Sequence, residues 1–182
     1  MNYKKLSYEE KDIIISIPIL FVVGTCFHFL YEFFGKNLVV GLFAAINESV
    51  FEHTKLVMLP IMLWWIIYYI SKGKKYNINK NKWFTASLAS LITSILLIPF
   101  IFYFYTQAFG IESLIIDIII FLIAIICGQL LGLHLYKYSN GFNYKFVLYI
   151  FIIIILLYIL FTLNPPKLPI FKDYSVSLYI IK

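Results

Sequence analysis

The chain contains no arginine; all fifteen of its basic residues are lysine. Forked, bidentate recognition of phosphate or of guanine edges is therefore closed to it. Charge of either sign is scarce: 13% of the 182 residues are charged, against 62% hydrophobic, and the mean hydropathy is +0.90. An ordinary soluble domain is about one quarter charged. A soluble domain of this size leaves roughly a third of its surface in water, too much for so apolar a chain. Composition thus excludes a soluble globule, and equally a disordered chain, which needs low hydrophobicity. Cysteine is nearly absent. Cys26 and Cys127 both lie inside apolar runs, so they read as small buried hydrophobes and not as a disulfide or metal pair. There is no HExxH, CxxC or Gly-x-Ser-x-Gly pattern, which removes the standard zinc-protease, zinc-ribbon and hydrolase signatures.

What is present is a set of long apolar runs. A helix needs about 20 apolar residues to cross the hydrocarbon core. Five runs qualify, at about 13–34, 50–71, 83–106, 112–136 and 145–163. The stretch from Leu38 to Ile46 is apolar but too short to span, so it is expected to be a re-entrant or interfacial piece before the second span. No small-residue cleavage motif ends the first run, so it reads as a span and not as a removed signal. The expected fold is an all-α integral membrane bundle of about five transmembrane helices, one transmembrane domain over 1–182.

The lysines orient it. Lys4, Lys5 and Lys11, the five of the 72–82 loop, and Lys137 and Lys145 fall on one side of a five-span topology. The positive-inside rule makes that side cytoplasmic, with the N-terminus inside and the tail 164–182 outside. The basic balance, a formal +6, is then a matter of topology and contact with the lipid bilayer, not of nucleic acid. Abundant Ile, Lys and Asn without Arg suggest AT-rich bacterial coding and hence a bacterial cell membrane. Oligomeric state is not legible.

Polar residues within spans are expensive and are functional candidates by default. His28 and Glu32, at i and i+4, share a face near the outer end of the first span, one turn after Gly24. Asn47, Glu48, Ser49, Glu52 and His53 open the second span on the same side, and Asp117 lies a short way into the fourth. Topology alone brings these distant segments into one outer-leaflet layer. His134, by contrast, belongs to the cytoplasmic end. In the fourth span Asp117, Phe121, Ala124, Gly128 and Gly132 form one stripe, with Gly128 and Gly132 as a small-xxx-small packing motif. The aromatics Trp64, Trp65, Tyr68, Tyr69 and Trp83 read as an interfacial belt.

These residues support several readings. In the structural one, Ser49 and Glu52 form a capping box, Glu48 favours the helix start, and His53 and Lys55 snorkel to the interface. In the chemical one, His28, Glu52 and His53 bind a divalent metal such as Zn²⁺, Mn²⁺ or Fe²⁺, or the layer meets a polar headgroup. A proton or cation path would need polar groups deeper in the membrane. Lipid or cell-wall chemistry with a Glu–His pair as general base would need a nucleophile that no motif supplies. Whether the protein is an enzyme stays open.

His28-x-x-Tyr31-Glu32, the run Asn47-Glu48-Ser49-Val50-Phe51-Glu52-His53-Thr54-Lys55-Leu56 with Pro60 after it, Asp117, Pro165-Pro166 and Phe171-Lys172-Asp173 resemble a family of small bacterial membrane proteins. That family is typical of Clostridia and other Firmicutes and is catalogued as a domain of unknown function. The chain departs from its pattern at Ala45-Ile46, where a proline is usual, and in a tail without glycine over 174–179. The resemblance implies a multi-pass membrane protein and supplies no activity. The reading is therefore a multi-pass membrane protein of unknown activity with a candidate His/carboxylate site at the outer leaflet; the alternative is a non-enzymatic structural or small transport protein.

Overall fold

The computed structural model describes residues 6–174, so Lys4, Lys5 and the tail beyond Tyr174 lie outside the described residues. Five helices are long and apolar enough to cross a membrane: α1 (Tyr8–Phe33), α3 (Val50–Lys72), α4 (Lys80–Phe109), α5 (Leu114–Tyr138) and α6 (Tyr144–Leu163). A single turn, α2 (Leu38–Gly41), precedes α3, and a 3₁₀ turn over Pro169–Phe171 follows α6. The helices fall on the five apolar runs; α1 begins earlier and α4 extends at both ends into polar flanks, while α5 begins only at Leu114, inside the run expected from 112. Local signals set the ends. The backbone N–H of Ser7 donates to the Glu10 carboxylate at 2.9 Å, which starts α1 before its apolar run. Asn79 caps α4 through the Lys82 N–H at 3.2 Å, and Gly110 ends it in the left-handed region at φ +64°, where glycine is favoured. Pro18, Pro60 and Pro99 sit inside continuous helices.

Helices α1, α3, α4 and α5 form a ring in which α1 packs on α3 and α5, and α4 packs on α3 and α5. Helix α6 lies outside it, mainly against α4. Between helices in lipid there is no hydrophobic drive, so close backbone approach and polar ties hold the bundle. Both are present. A Cβ on Gly128 would meet the Ser90 carbonyl oxygen at 2.6 Å, so the glycine stripe of α5 is what seats it on α4. One buried amide then ties all four ring helices: Gln129 Oε1 accepts from Trp65 Nε1 at 3.1 Å and Ser90 Oγ at 2.9 Å, and its Nε2 donates to Ser16 Oγ at 2.9 Å.

Two sequence expectations are corrected. Trp65 and Trp83 are no interfacial belt: both are fully buried, with ring centroids 4.4 Å apart, and Trp83 Nε1 donates to the Trp65 carbonyl at 2.9 Å. Inward rotation satisfies their N–H groups on protein partners in place of interfacial water. Cys26 and Cys127 are exposed, not buried, on the outer faces of α1 and α5. In a bundle this thin an apolar residue satisfies its preference equally well against lipid.

Candidate functional site

The site grows from the segment between α1 and α3. Asn37 caps the single turn α2, accepting from the Val39 N–H at 2.9 Å. The chain then folds back over the start of α3, held by a lysine. Lys55 Nζ donates to the carbonyls of Gly41 at 2.9 Å and Ala44 at 3.4 Å, and pairs with Glu52 Oε2 at 2.7 Å. An ammonium has three protons, and here each has a partner. The same Glu52 oxygen accepts the Ile46 N–H at 3.0 Å. Asn47 Oδ1 accepts the Ser49 N–H at 2.9 Å, and Ser49 Oγ caps α3 by accepting the Glu52 N–H at 3.3 Å. Asn47, Ser49, Glu52 and Lys55 are thus a frame.

That frame presents Glu48. Its carboxylate lies 3.2 Å from His53 Nε2 and 3.7 Å from His28 Nε2, and the two imidazoles stack with centroids 5.5 Å apart. One ligand atom from each of the three residues falls within 4.8 Å of the others. His28 reaches the group because Gly24, one turn earlier, lets α1 touch α3: a Cβ there would meet the Leu56 carbonyl oxygen at 2.5 Å. Nδ1 of His28 is buried without a hydrogen-bond partner. Such a group costs about 1–3 kcal/mol and calls for a functional reason. The hydrogen bond from His53, helped by the nearby imidazoles and opposed by burial and by Asp173, holds the Glu48 carboxyl below its ordinary value of 4.5. The group therefore offers an ionised carboxylate between two imidazoles.

Beside it lies a cavity of about 670 Å³, walled by α1, α3, α4 and α5. His28, Glu48 and His53 line one part; Glu112, Ser113 and Asp117 line another; apart from Thr25 and Tyr174 the rest is apolar. Asp117 accepts from the Tyr105 hydroxyl at 2.7 Å, and that hydroxyl accepts the Ser113 N–H at 3.4 Å. The chain after α6 closes over this end of the bundle. Phe171 packs on Phe51 with centroids 4.6 Å apart, Asp173 accepts the Glu48 N–H at 3.3 Å, and Tyr174 lines the cavity.

Several expectations change here. The three residues whose ligand atoms converge are His28, Glu48 and His53; Glu52, expected beside the two histidines, is paired with Lys55 inside the frame instead. Lys55 does not snorkel outward; its side chain is fully buried. Glu52 does not close a capping box on Ser49, because its carboxylate bonds one turn further back, at Ile46. Glu32 is exposed and stands outside the group, while Asp117 shares the cavity but bonds to Tyr105. Tyr105, Glu112, Ser113 and Asp173 were not read from the sequence as site residues. Lys55 at i+3 from Glu52 was the available sign of a buried pair, and Asp173 lies too far along the chain for spacing to reveal it.

Compared with known proteins, the chain matches a family over residues 1–181, described as Family of unknown function (DUF6512), and it belongs to that family. Neither the curated proteins nor the solved structures contain a match.

Proposed function

We propose that this DUF6512 member is a membrane metalloprotein that holds a divalent transition metal on His28, Glu48 and His53. The observation that carries the proposal is the convergence of two imidazoles and one ionised carboxylate from α1, α3 and the segment between them. The donor set fits. Zinc binds His nitrogen and carboxylate oxygen at about 2.0–2.2 Å, so tetrahedral ligands lie about 3.4 Å apart. Glu48 reaches His53 at 3.2 Å through one carboxylate oxygen and His28 at 3.7 Å through the other, and one ligand atom from each residue lies within 4.8 Å of the rest, so small side-chain shifts would close the set. Three protein ligands leave a position open, the arrangement of catalytic and not of structural zinc sites. When bound there, the metal would supply Lewis acidity and lower the pKa of water. The lysine-rich loops all lie at the opposite end of the bundle, which supports an outward-facing site in a bacterial cell membrane, with the N-terminus inside.

The frame residues fit the structural reading, since each is already held by local partners. That reading gives Glu48 the helix start and His53 the interface, and leaves their convergence with His28 without a purpose. Transport is not favoured: Ile98 and Ile120 are buried apolar residues of the cavity wall, and the Gln129 network is internally satisfied.

The test is metal content. Wild-type protein purified in mild detergent and loaded with Zn²⁺ should retain about one equivalent by elemental mass spectrometry. Glu48→Gln and His53→Ala should lose it while keeping their helical content. Wild type without metal above background, or variants that keep it, would refute the proposal.

A further inference from the structure

The cavity beside the triad has features that identify its occupant. Its lining residues Phe29, Leu114 and Ile118 are also exposed, at 59%, 76% and 48%, so they mark its mouth. All three are apolar and sit on helices long and apolar enough to cross a membrane, toward the end of α1 and in the first turns of α5, so the mouth is an apolar gap between these two helices that a lipid chain can reach. Its deep wall includes Ile98 and Ile120, which are 6% and 3% exposed. Phe21, Leu56, Phe102 and Phe121 complete an apolar barrel. A methylene occupies about as much space as a water in the liquid, roughly 30 Å³. The volume of about 670 Å³ thus holds one hydrocarbon chain and a small head, not a lipid with two chains.

Charge restricts the head. Three carboxylates line the cavity, Glu48, Glu112 and Asp117, and no lining residue is a lysine. Lys55 is consumed by its frame, and the chain has no arginine. A phosphate or carboxylate head would meet like charge in a weakly screened place. A divalent ion on the triad would offset two of the three negative charges, and the lining as a whole would still carry no surplus positive charge for an anionic head.

We infer that the cavity takes a single-chain membrane amphiphile with an uncharged, oxygen-bearing head. The head, an ester, amide or hydroxyl group, lies at the His28–Glu48–His53 end, and the chain runs between α1, α4 and α5. The head's coordination rests on the metal reading. The chain's place rests only on the cavity and its lateral mouth.

The experiment uses full-length protein in phosphatidylcholine nanodiscs, zinc-loaded. The probe is a monoacylglycerol with a diazirine at its chain end, and crosslinked peptides are mapped by mass spectrometry. The expected labels fall on the α1, α4 and α5 peptides that contain Phe21, Ile98 and Phe121. Excess unlabelled monoacylglycerol should reduce them about tenfold, and the phosphate monoester of the same chain should compete at least about tenfold more weakly. Ile120→Trp, which fills the deep end, should abolish the labels. Leu114→Trp, at the exposed mouth where folding is not at stake, should weaken them. Ile70→Trp, on an exposed lipid face, should change nothing. Labels spread over outward-facing residues, indifferent to competitor and to both cavity variants, would overturn the inference. Stronger competition by the phosphate monoester would overturn the uncharged head. Specific labelling in wild type that holds no metal above background would sustain the chain's site while the metal reading falls. Metal without specific labelling would do the reverse.

Discussion

Among the described residues Lys55 carries the only ammonium that is buried completely, and its three partners make Glu52 tolerable in the same place. Removing one member of a buried pair leaves the other uncompensated, at about 3–5 kcal/mol. Lys55→Met should therefore destabilise the protein by about that much in chemical unfolding from detergent. The double variant with Glu52→Gln should recover part of the loss, because no charge is then stranded. A double variant as unstable as the single one would place the cost in the carbonyl contacts instead. Glu48 gives a second residue-scale outcome. Its carboxyl sits below its ordinary value because His53 hydrogen-bonds the charged form. A depressed carboxyl stabilises the fold above the unfolded value of about 4.5, and that contribution disappears as pH falls through the lower, folded value. Glu48→Gln should flatten the acid limb of a stability-against-pH curve in metal-free protein. Glu48, His28 and His53 were all visible in the sequence as candidates. What spacing did not settle was which of two glutamates four residues apart faces the histidines, because that is decided by a lysine whose desolvation is offset by three acceptors brought to it by the fold.

At the scale of elements, the site depends on how closely α1 approaches α3. Gly24 permits that approach: an added Cβ would meet both the Phe121 ring and the Leu56 backbone carbonyl, and the carbonyl cannot swing away. Gly24→Val should push His28 off the group without touching a ligand and weaken zinc binding by about 10- to 100-fold, the range for groups that orient ligands. Competition with a chromophoric chelator would read this, and unchanged affinity would show that the helices have slack. The four ring helices share a second dependence on Gln129. Gln129→Leu strands the donors and acceptors of Trp65, Ser90 and Ser16, and should cost about 1–2 kcal/mol in the same unfolding assay, since interhelical bonds in membranes are individually modest. The glycine stripe beside Gln129 could be read from its helical spacing. The amide itself sits in an apolar run with no pattern to betray it, because its partners come from three other helices.

For the whole molecule, hydropathy determined the helices and lysine placement ordered them, since each span must satisfy its own backbone in lipid. Convergence of His28, Glu48, His53 and Asp117 at one end followed from that order alone. The return of the chain after α6 did not. Nothing in Pro165–Pro166 or Phe171 says that this segment closes over Phe51 and brings Asp173 to the Glu48 amide; only the packed bundle presents that surface. Phe171→Ala should accordingly raise hydrogen exchange at the 46–49 backbone, with α4 and α5 unaffected. The central claim concerns the ligand set, and X-ray absorption at the zinc edge of the loaded protein addresses it directly. Two imidazole scatterers and one carboxylate at about 2.0–2.2 Å, with one imidazole lost in His28→Ala, are expected. A first shell of light oxygen scatterers alone, unchanged by His28→Ala, would contradict it.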